Sequence, residues 1–136
     1  MDTIRKVDYF SMEVPHKPGV AAQVLNTLKE EGIDLLAFTG FPSGRRAQLD
    51  FIPVDSSAFT RAAKRAKLAI NPRKTGFLSQ GPDRVGVVAD LVSRLADAGI
   101  NVTAIDAVCA GEGRYGAIFW VKPPDVAKAA RILGAS

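Results

Sequence analysis

Two short stretches hold the residue types that could handle a small charged ligand. They are Pro15-His16-Lys17-Pro18-Gly19-Val20 and Pro82-Asp83-Arg84-Val85-Gly86-Val87. Each places a glycine just before an amphipathic run, where the first N–H groups of a helix have no intrahelical acceptor. Such a helix end carries partial positive charge and receives a carboxylate or phosphate. A glycine there lets a ligand come close to the backbone. Asp83 can take an ammonium group beside that carboxylate pocket. His16 holds the same place in the first stretch and supplies no fixed negative charge. A plain tight turn, with Asp83 capping its helix, accounts for the same residues.

Other chemistry finds little to work with. His16 and Cys109 are the single histidine and the single cysteine. They lie at unlike places, and one of each cannot build a metal set. Asp34 and Asp106 form no evident carboxylate pair. Cys109, before a glycine-rich turn, reads as a small apolar residue rather than a nucleophile. The expectation is a protein without catalytic residues, metal or cofactor.

The two stretches are copies. A shift of 67 places Pro82 on Pro15, Gly86 on Gly19, Val87 on Val20, Leu95 on Leu28, Gly99 on Gly32 and Ile100 on Ile33, with no gap. An internal repeat constrains architecture more than any local signal. In the first copy, residues 4–14 read as a strand and 20–31 as a helix, with Val20, Val24 and Leu28 on one stripe. Residues 33–41 and 46–54 follow as strands around a turn at Pro42-Ser43-Gly44. A helix capped by Asp55 or Ser56 runs to about Lys67, and Leu68–Ile70 opens another strand.

The second copy repeats the order: strand 74–80, helix 83–98, strands 100–109 and 114–122, and a last helix from Pro123 to about Leu133. In its second half the shift becomes 68, so Phe119 falls on Phe51 and Arg114 on Arg46. Nothing follows that would supply its final strand, so the second unit lacks one or borrows it. Strand–helix–strand–strand–helix–strand is the ferredoxin-like pattern, an α+β fold of antiparallel sheets with helices on one face. The expected domains are residues 1–70 and 71–136. Ile118 and Trp120 fall on the face away from the helices, and their exposure there would call for a second sheet or another subunit.

Composition sets outer bounds. With 47% hydrophobic and 24% charged residues the chain is globular rather than disordered. Each half-size unit buries little alone, which favours a shared core or a homodimer. No run of about 18 uncharged apolar residues exists to span a membrane, and residues 1–10 have no apolar core for a signal peptide. The simplest compartment is the cytoplasm. The formal charge is +4, and Arg61, Lys64, Arg65, Lys67, Arg73 and Lys74 form a run without an acid. Such a cluster can meet nucleic acid or an acidic partner, or simply face water.

Gly81–Val108, GPDRVGVVADLVSRLADAGINVTAIDAV, resembles the signature of the ACT domain, and Pro15–Phe38 resembles it less closely. The resemblance spans about residues 4–134 and implies a tandem ACT protein with no attached enzyme. Such domains bind amino acids or similar small effectors and control an enzyme or partner. It implies ligand contact at the turn and at the opening of the second strand. In the second copy these positions are Asp83, Arg84, Gly86, Val87 and Asn101. In the first they are His16, Lys17, Gly19, Val20 and Asp34. The chain departs from the family pattern at His16, where Asp or Asn is usual, at Asp34, where Asn is usual, and at Val85, where proline is common.

Two other functions share the pattern. A degenerate ACT pair can serve only to dimerise. Gly113–Val121, GRYGAIFWV, also resembles faintly the aromatic third strand of the RNA-recognition motif. That motif needs aromatics on the exposed face, whereas Tyr115 and Phe119 share a face with Phe119 matching Phe51, and Trp120 lies opposite. The favoured reading is a non-catalytic, amino-acid-binding regulatory protein, without membrane or nucleic-acid partner.

Overall fold

The computed structural model describes residues 2–136. In chain order the elements are β1 (Thr3–Pro15), α1 (Val20–Glu30), β2 (Leu35–Ser43), β3 (Arg46–Pro53), α2 (Ser56–Arg65), β4 (Lys74–Pro82), α3 (Val87–Asp97), β5 (Val102–Gly111), β6 (Arg114–Val121), a 3-10 turn (Pro123–Asp125) and α4 (Val126–Leu133). They form two compact units. One is Asp8–Lys74; the other joins the residues up to Val7 to Thr75–Ser136.

The first unit orders its strands β2-β3-β1, with both pairings antiparallel. Phe10 faces Phe51 and Pro15 faces Arg46 across β1 and β3. The second unit repeats this register, with Phe77 facing Phe119 and Pro82 facing Arg114. The duplication read from residue spacing is therefore a duplication of hydrogen-bonded geometry. The period-two alternation of β3 and β6 sends Leu49 and Phe51, and Ala117 and Phe119, toward the helices. The first core joins these to Val24 and Leu28 of α1 and Phe59 of α2, whose ring stacks on Phe10 at 4.8 Å between centroids. The second joins Phe77 and Phe119 to Leu91, Leu95, Ala129 and Leu133. Each unit is thus an antiparallel sheet with its helices packed on one face, the α+β arrangement expected.

The sixth element of each unit departs from a simple strand. Leu68–Ile70 is not a strand. The Leu68 N–H bonds back to the Ala63 carbonyl at 2.9 Å, and the segment meets β1 through the Asn71 N–H to the Ser11 carbonyl at 2.8 Å. Pro72 has no N–H to continue a ladder. Leu68 and Ile70 still pack against the first core. In the second unit no strand follows α4. Residues of β1 before Asp8 flank β4 instead. Ile4 packs on the second core, the Lys6 N–H bonds the Ser136 carbonyl at 3.0 Å, and Asp2 lies where any side chain at Gly81 would have to go.

Ile52, Ile118 and Trp120 are buried, so the exposure expected of the Ile118–Trp120 pair does not occur. Asp50, also buried, accepts hydrogen bonds from Thr39 Oγ1 and Gln48 Nε2, both at 2.9 Å.

Candidate functional site

Both glycine turns lead into helices that start without a side-chain cap. Gly19 and Gly86 occupy the cap position with φ of 89° and 83°, in the left-handed region that disfavours any side chain. Among the described residues nothing accepts from the Ala21 and Ala22 N–H groups of α1, or from Val88 and Ala89 of α3. The contrast is α2, where Asp55 accepts from the Ala58 N–H at 3.0 Å. The reading in which Asp83 caps its helix is corrected here. Gly86 breaks the helical path, so α3 begins at Val87 rather than Asp83.

In the second unit the turn's polar groups are already engaged. The Asp83 N–H bonds the Gly113 carbonyl at 2.7 Å. The Asp83 carboxylate beside the exposed Cys109 thiol pushes that thiol above its ordinary value. Arg84 Nη2 meets Asp90 Oδ2 at 2.7 Å. Below the turn, the buried Tyr115 ring packs with Val87, Val88 and Ala117, and its hydroxyl shares a 2.6 Å hydrogen bond with Ser79. Ring and hydroxyl close the space beneath the start of α3.

The first unit leaves that space open. Ala47 faces Val14 in the same register position that Tyr115 holds opposite Gly81. With a methyl group in place of a phenol ring, a pocket of about 510 Å³ remains at the turn. His16 and Lys17 line it on one side and Phe38 and Phe41 on the other, with Ala21 of α1 and Leu49 of β3 behind. Phe38 and Phe41 are 36% and 44% exposed, unusually wet for phenylalanine, and both border this pocket. The volume is in the range of small-molecule sites, which are mostly apolar with a few placed polar groups. No acidic residue lines it. The sequence signal for it was a single aligned difference, alanine at 47 against tyrosine at 115.

The residues at the opening of the second strand lie elsewhere. Pro15 and Ser43 both pair with Arg46, whereas Asp34 precedes Leu35, which pairs with Pro53. Seven residue-to-residue steps along β3 separate those ends, ~23 Å at 3.3 Å each. Asp34 instead turns its carboxylate to the Leu35 N–H at 2.9 Å. Asn101 stands likewise at the Val121 end of β6, away from Asp83 at the Arg114 end. Within one unit, then, an amino-acid-sized ligand cannot touch both sets. His16 and Lys17 are brought to the pocket, with Gly19 and Val20 forming the helix start beside it. Asp83, Arg84, Gly86 and Val87 gather at the closed turn.

The RNA alternative needs a stacking surface, and Tyr115, Phe119 and Trp120 are each at most 6% exposed. Among the described residues no group of three or more His, Cys, Asp or Glu side chains could hold a metal ion, and no helix is long and apolar enough to cross a membrane.

Residues 77–135 match the family described as the ACT domain. No curated protein sequence matches the chain significantly. Among solved structures, a protein from Bacteroides thetaiotaomicron superposes with a TM-score of 0.82 at 19% identity, over 96% of this chain and 88% of its own. The ligand-free regulatory subunit of aspartate kinase from Thermus thermophilus gives 0.63 at 19% identity, over 98% of this chain and 94% of its own. The corresponding subunit from Thermus flavus gives 0.61 at 22% identity, over the same shares. At these identities the likeness is one of fold. Duplicated register, glycine-led helices and the family match agree: the chain is built of two ACT-like units, and residues 77–135 of the second match the ACT-domain family.

Proposed function

We infer that the protein is a non-catalytic regulator that binds a small carboxylate effector, an amino acid with an apolar side chain, in the pocket of its first unit. The observation that carries this reading is the open space beside the uncapped start of α1, at a place that Tyr115 fills in the second unit. In this reading the effector carboxylate takes the free Ala21 and Ala22 N–H groups, with Lys17 adding positive charge. Its side chain displaces water from Phe38 and Phe41. With no acid in the lining, its ammonium group stays at the mouth, in solvent. The second unit, with its turn engaged internally, serves as scaffold.

The regulated partner is then an enzyme and the working form a homodimer in the cytoplasm. Support for a partner enzyme is the fold shared with regulatory subunits of aspartate kinase, which is an analogy of fold. The test is a thermal-shift and calorimetric screen of the twenty amino acids against the full chain. A ligand present at 100 times its Kd stabilises the folded state by about 2.7 kcal/mol. Apolar amino acids should raise the Tm, and Phe38→Ala with Phe41→Ala should weaken the effect. A flat response to every amino acid leaves the pair as a dimerisation module. Light scattering at several concentrations reads the homodimer.

A further inference from the structure

The basic run between Arg61 and Lys74 has no part in the reading above. Arg65 is accounted for, since its Nε donates to Glu31 at 2.8 Å. Arg61, Lys64 and Arg73 instead line an open groove of about 710 Å³ in the first unit, between α2 and the extended segment 68–73. The groove exists because that segment is tied to β1 near Asn71 alone and does not close as a strand. Its apolar surface comes from Phe10, Phe59, Leu68 and Ile70. Ser57, Thr60, Arg61 and Lys64 follow the three- and four-residue spacing of one helix face, so they line one wall together.

No acid is among the lining residues. Arg73 is 3.8 Å from Asp8, which also accepts from Ser56 Oγ at 2.8 Å. Among the described residues Arg61 and Lys64 have no ion pair. Three cations around an apolar floor complement an anion that carries an apolar or aromatic body. We propose that this groove is a second ligand site, for a small organic anion, separate from the pocket at α1. A nucleic acid would want a longer cationic track. Here Arg61, Lys64 and Arg73 are gathered at one ligand-sized cavity, and Arg65 is held by Glu31.

The test uses the full chain and the fluorescent anion 1-anilinonaphthalene-8-sulfonate, titrated at low and high salt. The expected result is saturable, salt-weakened binding at one site. Arg61→Glu with Lys64→Glu should raise its Kd at least tenfold. Thr60→Trp, which fills the groove without changing charge, should do the same. Ala47→Tyr, which fills the other pocket, should leave it unchanged. Circular dichroism checks that each variant is folded, and the two groove variants fail independently. Unchanged binding in both groove variants overturns the proposal. So does loss of binding in Ala47→Tyr alone. Single-stranded RNA or polyglutamate displacing the probe, with affinity lost on charge reversal, would give the groove to a macromolecule and overturn the small-ligand assignment. The amino-acid thermal shift is read separately, so either site can fail without the other.

Discussion

Ala47→Tyr writes the second unit's solution into the first. A tyrosine ring fully removed from water buries about 150 Å², worth about 4 kcal/mol at 25 cal/mol/Å². Here the ring cannot lie as Tyr115 does, because Leu49 and Met12 stand where the second unit has Ala117 and Ser79. It must reach outward into the pocket toward Phe38, where about half its area stays wet. That halves the gain to about 2 kcal/mol, and ordering the side chain costs about 1 kcal/mol. The hydroxyl at the open mouth keeps its water. The net is a stabilisation of about 1 kcal/mol, a rise of a few degrees in Tm. The same ring occupies the volume assigned to the effector. The assay is a pair of melting curves, with and without the best amino acid from the screen. The variant should melt slightly higher than wild type and no longer respond to ligand. A variant that is folded, melts higher and keeps the full ligand shift would refute the assignment of the pocket. A fall of several degrees would show instead that the space cannot accept the ring.

Three further expectations can be checked directly. Tyr115→Phe leaves the buried Ser79 hydroxyl without its partner and should cost about 1 kcal/mol in denaturant melts; adding Ser79→Ala should recover part of that loss, and full additivity would deny the coupling. Burial, and then the charge of Asp50, push the Tyr9 phenol above its ordinary value of about 10. The folded state therefore holds that proton where the unfolded chain would lose it, so its contribution is complete below pH 10 and drains away as pH rises through the folded value. Tyr9→Phe should flatten the alkaline fall in stability, and an unchanged slope would assign that fall to other groups. Asp83→Asn removes the negative charge beside Cys109, so the thiol pKa should fall and alkylation by iodoacetamide at pH 8 should quicken. An unaltered rate would mean the two side chains are apart in solution.

The fold was largely legible because its signals are periodic and were written twice. The stripes Val20-Val24-Leu28 and Val87-Leu91-Leu95 marked α1 and α3, and paired glycines marked their beginnings. Boundaries set by single backbone dihedrals were not legible. Asp83 reads as a good first residue of a helix, yet the left-handed Gly86 moves the start to Val87. Leu68–Ile70 has strand composition, but Pro72 and the positive φ of Lys67 deny it a ladder. The candidate site was legible only in its turn residues. Periodicity reports which face a residue occupies and is blind to how much room its size leaves, so Ala47 and Tyr115 both read simply as inward positions. Which copy keeps a cavity is decided by that volume, and by Asp83 and Arg84 finding partners at Cys109 and Asp90.

The strand β1 serves two masters, since its residues up to Val7 complete the second unit while those from Asp8 belong to the first. During ribosomal synthesis residues 2–7 must therefore wait until Ser136, whose carbonyl Lys6 bonds, has been made before they have a place. Contacts so distant along the chain slow folding. A nascent chain stalled after α2 should protect α1 and β3 from proteolysis while residues 2–7 stay open to cleavage. Expressing residues 75–136 alone should yield a species that recovers its order when a peptide of residues 2–8 is supplied in trans.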